Sequence, residues 1–431
     1  AVAVPSRNGR GVLNRMAAVA KAIFDGGPAP APPKKFAYGT AGFRAKADTM
    51  DVIMYRVGAL AALRAAHTGK IVGVMVTASH NEGADNGSKI VDPDGGMLAA
   101  DWEKVATDLA NAGDIATVEA VLSQISPTPS VAPGLVVVGR DTRVSSPHLA
   151  VLVASGVAAA GGSIHDLGIV TTPQVHWTVL RANQQTPAAV PAISKYFQEH
   201  AAALQTLLAA SDTKPIKVCI DCANGVGAKS VFAMQAVLEA SNVAISLSAF
   251  NTGGLEPGAA ALDPAFLNAG CGAEFVQKSK ALPRNYDKAL AATDSNSSEA
   301  TTNQIWASFD GDADRIVMFF HEGSTFSLID GDKMACLLAK WIAQMLVKAN
   351  LSLSLGVVQT AYANGSSTLY LKKALAEIGG KWEIACVATG VKYLHHRALD
   401  FDVGVYFEAN GHGTVLFSDA ARSVIAKTAA A

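Results

Sequence analysis

The sequence is poor in cysteine, aromatic residues and charge. Its 431 residues hold five cysteines, 6% aromatic side chains and 16% charged ones. Five scattered thiols exclude a disulfide-stapled fold and fit a reducing compartment, so a cytoplasmic protein is expected. Lys and Arg (35) nearly cancel Asp and Glu (36), for a net charge of -1. That balance argues against nucleic acid or an anionic membrane as the main partner. No run approaches the length of a membrane-spanning helix, and the first residues lack a signal-peptide pattern. What is abundant is small apolar surface: half the residues are hydrophobic, with alanine foremost. Such a chain buries several cores, and its length suggests about three domains.

Strand-like runs alternate with helical spacing. Residues 70–76, 135–140, 163–170, 217–221 and 356–359 read as strands. Residues 101–122, 146–160, 194–210, 228–240, 332–349 and 366–378 read as helices. Loops are expected at 123–134, 182–191 and 291–303, and PAPAPP at 28–33 reads as stiff extended chain. The alternation predicts an α/β protein of three consecutive α/β domains, 1–181, 182–326 and 327–431. Cys219 and Cys222 have CxxC spacing, but lie in the strand-like run KVCIDC. Residues three apart on a strand face opposite ways, so both read as core thiols.

FDGDADR is the strongest chemical signal. On extended backbone, Asp310, Asp312 and Asp314 would share one side. Three crowded carboxylates repel, and a hard divalent cation such as Mg²⁺ removes that cost. An EF-hand fails, because Arg315 and His321 occupy positions needing Gly and Glu. TASHN puts Ser79 just past a strand. It is no nucleophile elbow, since residues 77 and 81 are not glycine. Ser79 reads either as a loop hydroxyl or as a phosphoryl carrier held by the cation.

GADNGSK continues as a turn, with Asp85, Asn86 and Gly87 as turn formers. Lys89 after it is either a solvated cation or a proton carrier whose pKa cationic neighbours lower. Arg44, in GTAGFR, suits bidentate phosphate contact. ANGVGAKS fails the phosphate-loop pattern at Ala223 and Ala228 and reads as a structural strand-to-helix turn. Glu408, Asn410 and His412, in FEANGHG, offer acceptors and donors for sugar hydroxyls. His395 and His396 are adjacent and cannot both face one site, so they read as structural or surface residues.

Together these motifs resemble the α-D-phosphohexomutase superfamily. The likeness runs through GTAGFR, TASHNEGADNGSK, GRDTR, TTPQVH, DCANGVGA, SFDGDADRI, DGDK, GVVQTAYANGSST, TGVKYLHH and FEANGHGTVLF, about residues 36–418. The FEANGHG form points to the acetylglucosamine branch. The resemblance implies mixed sheets of the phosphohexomutase type, with the phosphoserine loop in the first domain, the metal loop in the second and the sugar loop in the third. It implies that Ser79 carries a phosphoryl group and, with Asp310, Asp312 and Asp314, holds one Mg²⁺ per active site. His80, Lys89, Arg44 and Arg315 would line the transfer centre. Thr389, Gly390 and Lys392 would face the substrate, and Glu408, Asn410 and His412 the sugar hydroxyls.

The implied reaction interconverts N-acetylglucosamine 6-phosphate and N-acetylglucosamine 1-phosphate through a phosphoserine enzyme and a bisphosphate intermediate, towards UDP-N-acetylglucosamine. A sugar bisphosphate would act as activator, and the partner is a small sugar phosphate. The rival readings are a glucose or mannose phosphate mutase, a Mg²⁺-dependent phosphatase and a catalytically silent sugar-phosphate-binding protein. The superfamily's fourth, C-terminal domain, with an Arg-Pro-Ser-Gly-Thr-Glu-like phosphate loop, has no counterpart in these 431 residues. Weak or no turnover by this chain alone is therefore expected.

Overall fold

The computed structural model describes residues 7–430, apart from 30, 40–41, 126–133, 187, 210–214, 257–265, 295–303 and 324, with side chains described from residue 16 on except at 294 and 430. The strands among the described residues form three mixed sheets. The first comprises β1 (Phe43–Lys46), β2 (Val72–Val76), β3 (Asp85–Val91), β4 (Leu135–Arg140) and β5 (Ser163–Ile169), in the order β1-β3-β2-β4-β5. The second comprises β6 (Ile216–Asp221), β7 (Ile245–Phe250), β8 (Gln304–Phe309), β9 (Ile316–Glu322) and β10 (Thr325–Ile329), ordered β10-β9-β8-β6-β7. In the third, β11 (Ser354–Thr360), β12 (Lys381–Val387), β13 (Val403–Phe407) and β14 (Gly413–Phe417) are ordered β12-β11-β13-β14.

Each sheet repeats one device. A strand pairs in parallel on one side and with its own hairpin partner on the other: β2 with β4 and β3, β8 with β6 and β9, β13 with β11 and β14. The central strands β2 and β4 read as near-continuous apolar runs because helices cover them. β2 (VGVMV) is buried throughout.

The first core is closed by two helices, Asp51–Thr68 and Ser146–Ala159, that touch backbone to backbone. A Cβ on Gly58 would lie 1.9 Å from the Val153 carbonyl oxygen, and one on Gly156 1.7 Å from that of Tyr55. Small residues at this crossing let the alanine-rich helices approach closely. All five cysteines are free, and Cys219 and Cys222 are buried core thiols, as their strand spacing predicts. ANGVGAKS is a strand-to-helix turn, leading from β6 into the helix Gly227–Ala240. Among the described residues no helix is long and apolar enough to cross a membrane.

The structure departs from the sequence reading in three places. The helix expected over 101–122 is two helices, Ala100–Asn111 and Ile115–Gln124. Asp114 caps the second by accepting from the Thr117 N–H at 2.7 Å, which restarts the helix after Gly113. Asp85, Asn86 and Gly87 are not a turn but the start of β3, which pairs with β2 on one side and β1 on the other. Pairing with β1 over these residues overrides their turn preference. Asn86 is buried and donates to the hydroxyls of Ser145 (2.9 Å) and Ser146 (3.0 Å). Ser327, read as opening the third block, lies in β10, which pairs antiparallel with β9 of the second sheet. The loops expected at 123–134 and 291–303, and Pro30 of the PAPAPP stretch, lie largely outside the described residues.

The glycine crossing gives a testable consequence. Gly156→Ala forces the two helices apart, and overpacking of this kind costs about 1–3 kcal/mol or more. A lowered thermal unfolding midpoint is expected; an unchanged midpoint contradicts the close approach.

Candidate active site

Three hairpin turns meet, one from each sheet. Residues 77–84 join β2 to β3, residues 310–315 join β8 to β9, and residues 408–412 join β13 to β14. All three leave the carboxyl ends of strands, where open α/β sheets place their ligand crevices. The third turn docks on the second through the Ile316 N–H, which donates to the Gly411 carbonyl at 3.2 Å. Gly411 is left-handed (φ 89), and a Cβ there would sit 2.0 Å from the Ile316 oxygen.

The second turn gathers the acidic triplet. One oxygen each of Asp310, Asp312 and Asp314 lies within 4.8 Å of the others. The gathering is not the strand alternation that the sequence suggests. β8 ends at Phe309, and the turn, with Ala313 in the left-handed region (φ 57), folds the carboxylates together. Asp310 Oδ1 accepts from the backbone N–H groups of Asp314 and Arg315, both at 3.2 Å.

The first turn delivers Ser79 onto this cluster. Ser79 is fully buried, and its hydroxyl donates to Asp310 Oδ2 at 2.5 Å. Its backbone is left-handed (φ 54), an uncommon state for a residue with a side chain. Its N–H donates to Thr77 Oγ1 at 2.9 Å, and Thr77 in turn donates to the buried Asp141 at 2.8 Å.

Lys89 reaches in from β3. Its ammonium donates to Asp312 at 2.8 Å and also to Asp314. The Thr172 hydroxyl donates to Asp312 Oδ2 at 2.7 Å, and the Thr172 N–H to the Asp312 carbonyl at 3.1 Å. Arg315 pairs with Glu274 at 2.8 Å. His412 Nδ1 lies 3.6 Å from Asp314.

The charges compete in a dry place. Burial, then the charges of Asp312 and Asp314, push the Asp310 carboxyl well above the ordinary range. The three acids therefore do not all ionise readily without a further cation. Asp312 Oδ1 and Asp314 Oδ1 are buried and have no hydrogen-bond partner. Clustered oxygen donors with unsatisfied lone pairs suit a hard cation such as Mg²⁺. Burial pushes Lys89 down, but Asp312 and Asp314 outweigh it, and the ammonium titrates above the ordinary lysine value. The lowered Lys89 pKa expected from sequence is thus corrected here: its nearest charges are anions. Burial lowers His80 to about 4, with Arg315 adding to the effect.

These groups border one cleft. Arg44, Ser79, Lys89, Asp314, Arg315, Glu408 and His412 line it, with Tyr38, Ile90, Met97 and Val391 supplying apolar wall. The other sequence-picked residues lie off the lining. His80 stands beside Ser79 with a buried, unpartnered Nδ1. Thr389 is exposed, and Gly390 (φ 127) precedes the helix Val391–Ala398. Lys392 is ion-paired with Glu103 of the first sheet's helices at 2.6 Å. Asn410 shapes its turn, accepting from the His412 N–H at 2.9 Å and donating to Glu408 at 3.2 Å. His395 contacts the Tyr406 hydroxyl at 3.1 Å, and His396 is exposed.

Sequence reasoning missed Thr172, His176 and Glu103, which also line the cleft. TTPQVH carried two of them, but nothing local says that they face another sheet's turn. His176 Nδ1 lies 2.8 Å from the Gly95 carbonyl, so this nitrogen carries the proton and donates.

Comparison with known proteins adds the family context. A family model described as "Phosphoacetylglucosamine mutase AMG1, domain III" matches residues 330–431. Another, "Phosphoglucomutase/phosphomannomutase, alpha/beta/alpha domain I", matches residues 40–117 and 111–192. The Homo sapiens phosphoacetylglucosamine mutase is 43% identical over 401 residues, which span 91% of this chain and 68% of that protein. The crystal structure of Aspergillus fumigatus N-acetylphosphoglucosamine mutase in complex with GlcNAc-6P and magnesium superposes with a TM-score of 0.82 at 39% identity, covering 95% of this chain and 73% of that one. A variant of the same fungal enzyme in complex with glucose 1,6-bisphosphate gives the same TM-score, identity and coverage.

His176 provides a pH test. Burial lowers its pKa from 6.5 to about 4. Between those values the unfolded chain binds the proton and the folded one does not, so stability is lost as pH falls from 6.5 towards 4. His176→Gln should lose less over that window in denaturant titrations at a series of pH values. Equal losses in the two proteins count against a neutral His176.

Proposed function

The chain belongs to the phosphoacetylglucosamine mutase family of phosphohexomutases, and on that premise we propose how its own residues carry out the isomerisation of N-acetylglucosamine 6-phosphate and N-acetylglucosamine 1-phosphate. The observation that carries the reading is Ser79 Oγ, 2.5 Å from Asp310 at the edge of the carboxylate cluster. In the forward direction a phosphoryl group passes from Ser79 to the free 1-hydroxyl of the 6-phosphate. The P–O bond to the serine breaks, the new bond to the sugar oxygen forms, and the proton of that hydroxyl ends on the released Ser79 oxygen. The bisphosphate then turns over, and its 6-phosphoryl group returns to Ser79.

Asp310, Asp312, Asp314 and the Ser79 oxygen are the residues that would hold Mg²⁺. When bound, the ion neutralises charge on the moving phosphoryl group. The protein's own cations surround that path. Lys89 is fixed by Asp312, Arg315 by Glu274, and Arg44 lines the cleft beside them. Fixed cations stabilise spreading negative charge without having to reorganise. Glu408, on the third turn, accepts from the Tyr362 hydroxyl at 3.2 Å and keeps its second carboxylate oxygen near Asn410. We assign Glu408 and His412 to the sugar hydroxyls and Lys392 to the distal part of the substrate. One turn comes from each of the three sheets, which supports a reading as three α/β domains, with the second boundary moved past β10 to follow Ile329.

Ser79→Ala should lower isomerisation by roughly three orders of magnitude or more, because no oxygen remains to carry the group. The check is a coupled assay of N-acetylglucosamine 1-phosphate formation with sugar bisphosphate present. Intact mass of the wild type should rise by one phosphate, and that of the variant should not. Normal turnover by Ser79→Ala would sink the reading.

A further inference from the structure

The Ser79 turn is gripped from both sides, and one of the grips comes from the second sheet. Arg143 Nη2, fully buried, donates to the carbonyls of Ser79 (3.1 Å) and Asn81 (2.7 Å). Asn268 Nδ2 donates to the same two carbonyls, both at 3.0 Å. Arg143 belongs to the first sheet's own loops, where it also pairs with Asp141. Asn268 does not. It lies ahead of the helix Gly272–Ser279, with its N–H donating to the Ala223 carbonyl at 2.9 Å, beside the acidic turn.

Several details point to a dedicated contact. Asn268 sits in the left-handed region (φ 59), a conformation asparagine tolerates better than most residues. Its Oδ1 is buried and unpartnered, so the amide is oriented by what its nitrogen donates to. Turning the amide over would put an oxygen against two carbonyl oxygens. A Cβ on Gly311, inside the acidic turn, would sit 2.7 Å from the Ser79 oxygen and 3.0 Å from Asn268 Nδ2. The three pieces therefore meet with no room between them.

We propose that Asn268 is a positioning residue for the phosphoryl transfer, setting Ser79 against the carboxylate cluster by holding the Ser79 and Asn81 carbonyls. The inference rests on the phosphoserine reading above. Arg143 maintains the strained Ser79 backbone within its own sheet. Asn268 fixes that turn relative to the sheet that bears Asp310, Asp312 and Asp314. Without it the Ser79 oxygen and the acidic turn can drift relative to one another, and a misplacement near 1 Å can cost about a hundredfold in rate.

Two variants test this in the full chain. Asn268→Asp keeps the shape and replaces the donor with an acceptor. Asn268→Gly removes the amide and keeps the left-handed backbone accessible. Both should lower kcat by about 10–100-fold while KM for the sugar phosphate stays within about threefold. Phosphate uptake by Ser79 from a sugar bisphosphate, followed by intact mass, should slow by a similar factor, and half-saturating Mg²⁺ should rise. The thermal midpoint of Asn268→Gly should move little, which separates positioning from a merely structural role. Should Asn268→Asp fail to fold, Asn268→Gly decides alone. A folded Asn268→Gly with wild-type kcat and phosphate uptake overturns the inference. A wild type that takes up no phosphate on Ser79 overturns the phosphoserine reading and this inference with it.

Discussion

The mutual repulsion of three buried carboxylates is the constraint around which the rest of the structure is arranged. Asp310 and Asp312 are inaccessible to water and Asp314 nearly so, within one short turn. Like charges this close in a poorly hydrated site cannot all be ionised cheaply. The fold answers with groups from elsewhere: Lys89 from β3, the Thr172 hydroxyl from a first-sheet helix, and backbone N–H groups aimed at Asp310. These offset part of the repulsion and leave two carboxylate oxygens unsatisfied. The residual charge is what makes the turn receptive to a divalent cation and useful beside a phosphate.

That arrangement depends on a repeated local geometry. Each sheet uses a strand with a parallel neighbour on one side and a hairpin on the other, and each hairpin turn projects from the carboxyl end. The parallel neighbour anchors the strand in a buried sheet, so the turn starts from a rigid point. The turn itself lies beyond the strand ends and can carry special backbone, such as Ser79 at φ 54 and Ala313 at φ 57. Rigid base and strained tip together give precise side-chain placement.

The sequence made the parallel strands and the chemistry legible, but not the hairpin of β2 with β3. LVVVGR and KVCID stand out because strands buried on both faces read as apolar runs, and helices such as Ser146–Ala159 announce themselves by spacing. The acidic triplet is visible for a chemical reason: carboxylates at that density need a cation. β3 is hidden because it starts with Asp85-Asn86-Gly87, which reads as a turn unless its pairing with β1 is known. Gly87 shows why the residue is there: a Cβ would lie 2.0 Å from the Phe43 carbonyl oxygen. Thr172 and Asn268 are invisible for another reason. Their partners lie 140 and 189 positions away in the chain, and no local pattern encodes such pairs. The triplet's convergence was legible, yet its cause, a folded turn rather than strand alternation, was not.

A site shared among three sheets sets an unusual demand on their seams. If the sheets met only through apolar side chains, each contact could slide by a fraction of an ångström at little cost. Here the seams at the site are instead directional. The Ile316 N–H meets the Gly411 carbonyl, the Thr172 N–H meets the Asp312 carbonyl, and Asn268 meets two carbonyls of the Ser79 turn. Hydrogen bonds lose strength steeply with angle and distance, so each seam has one preferred register. Lys392 and Glu103 add a charged contact farther along the same cleft, between the third sheet's helix and the first sheet's. That pair differs from the Lys89 bridge to Asp312 and Asp314 in being less buried. Both partners are charged and partly exposed, and a phosphate arriving near Lys392 competes directly with Glu103 for the same ammonium. The seams that set the transfer geometry are thus buried and directional, while the one at the edge proposed to face the substrate can exchange its partner for an anion.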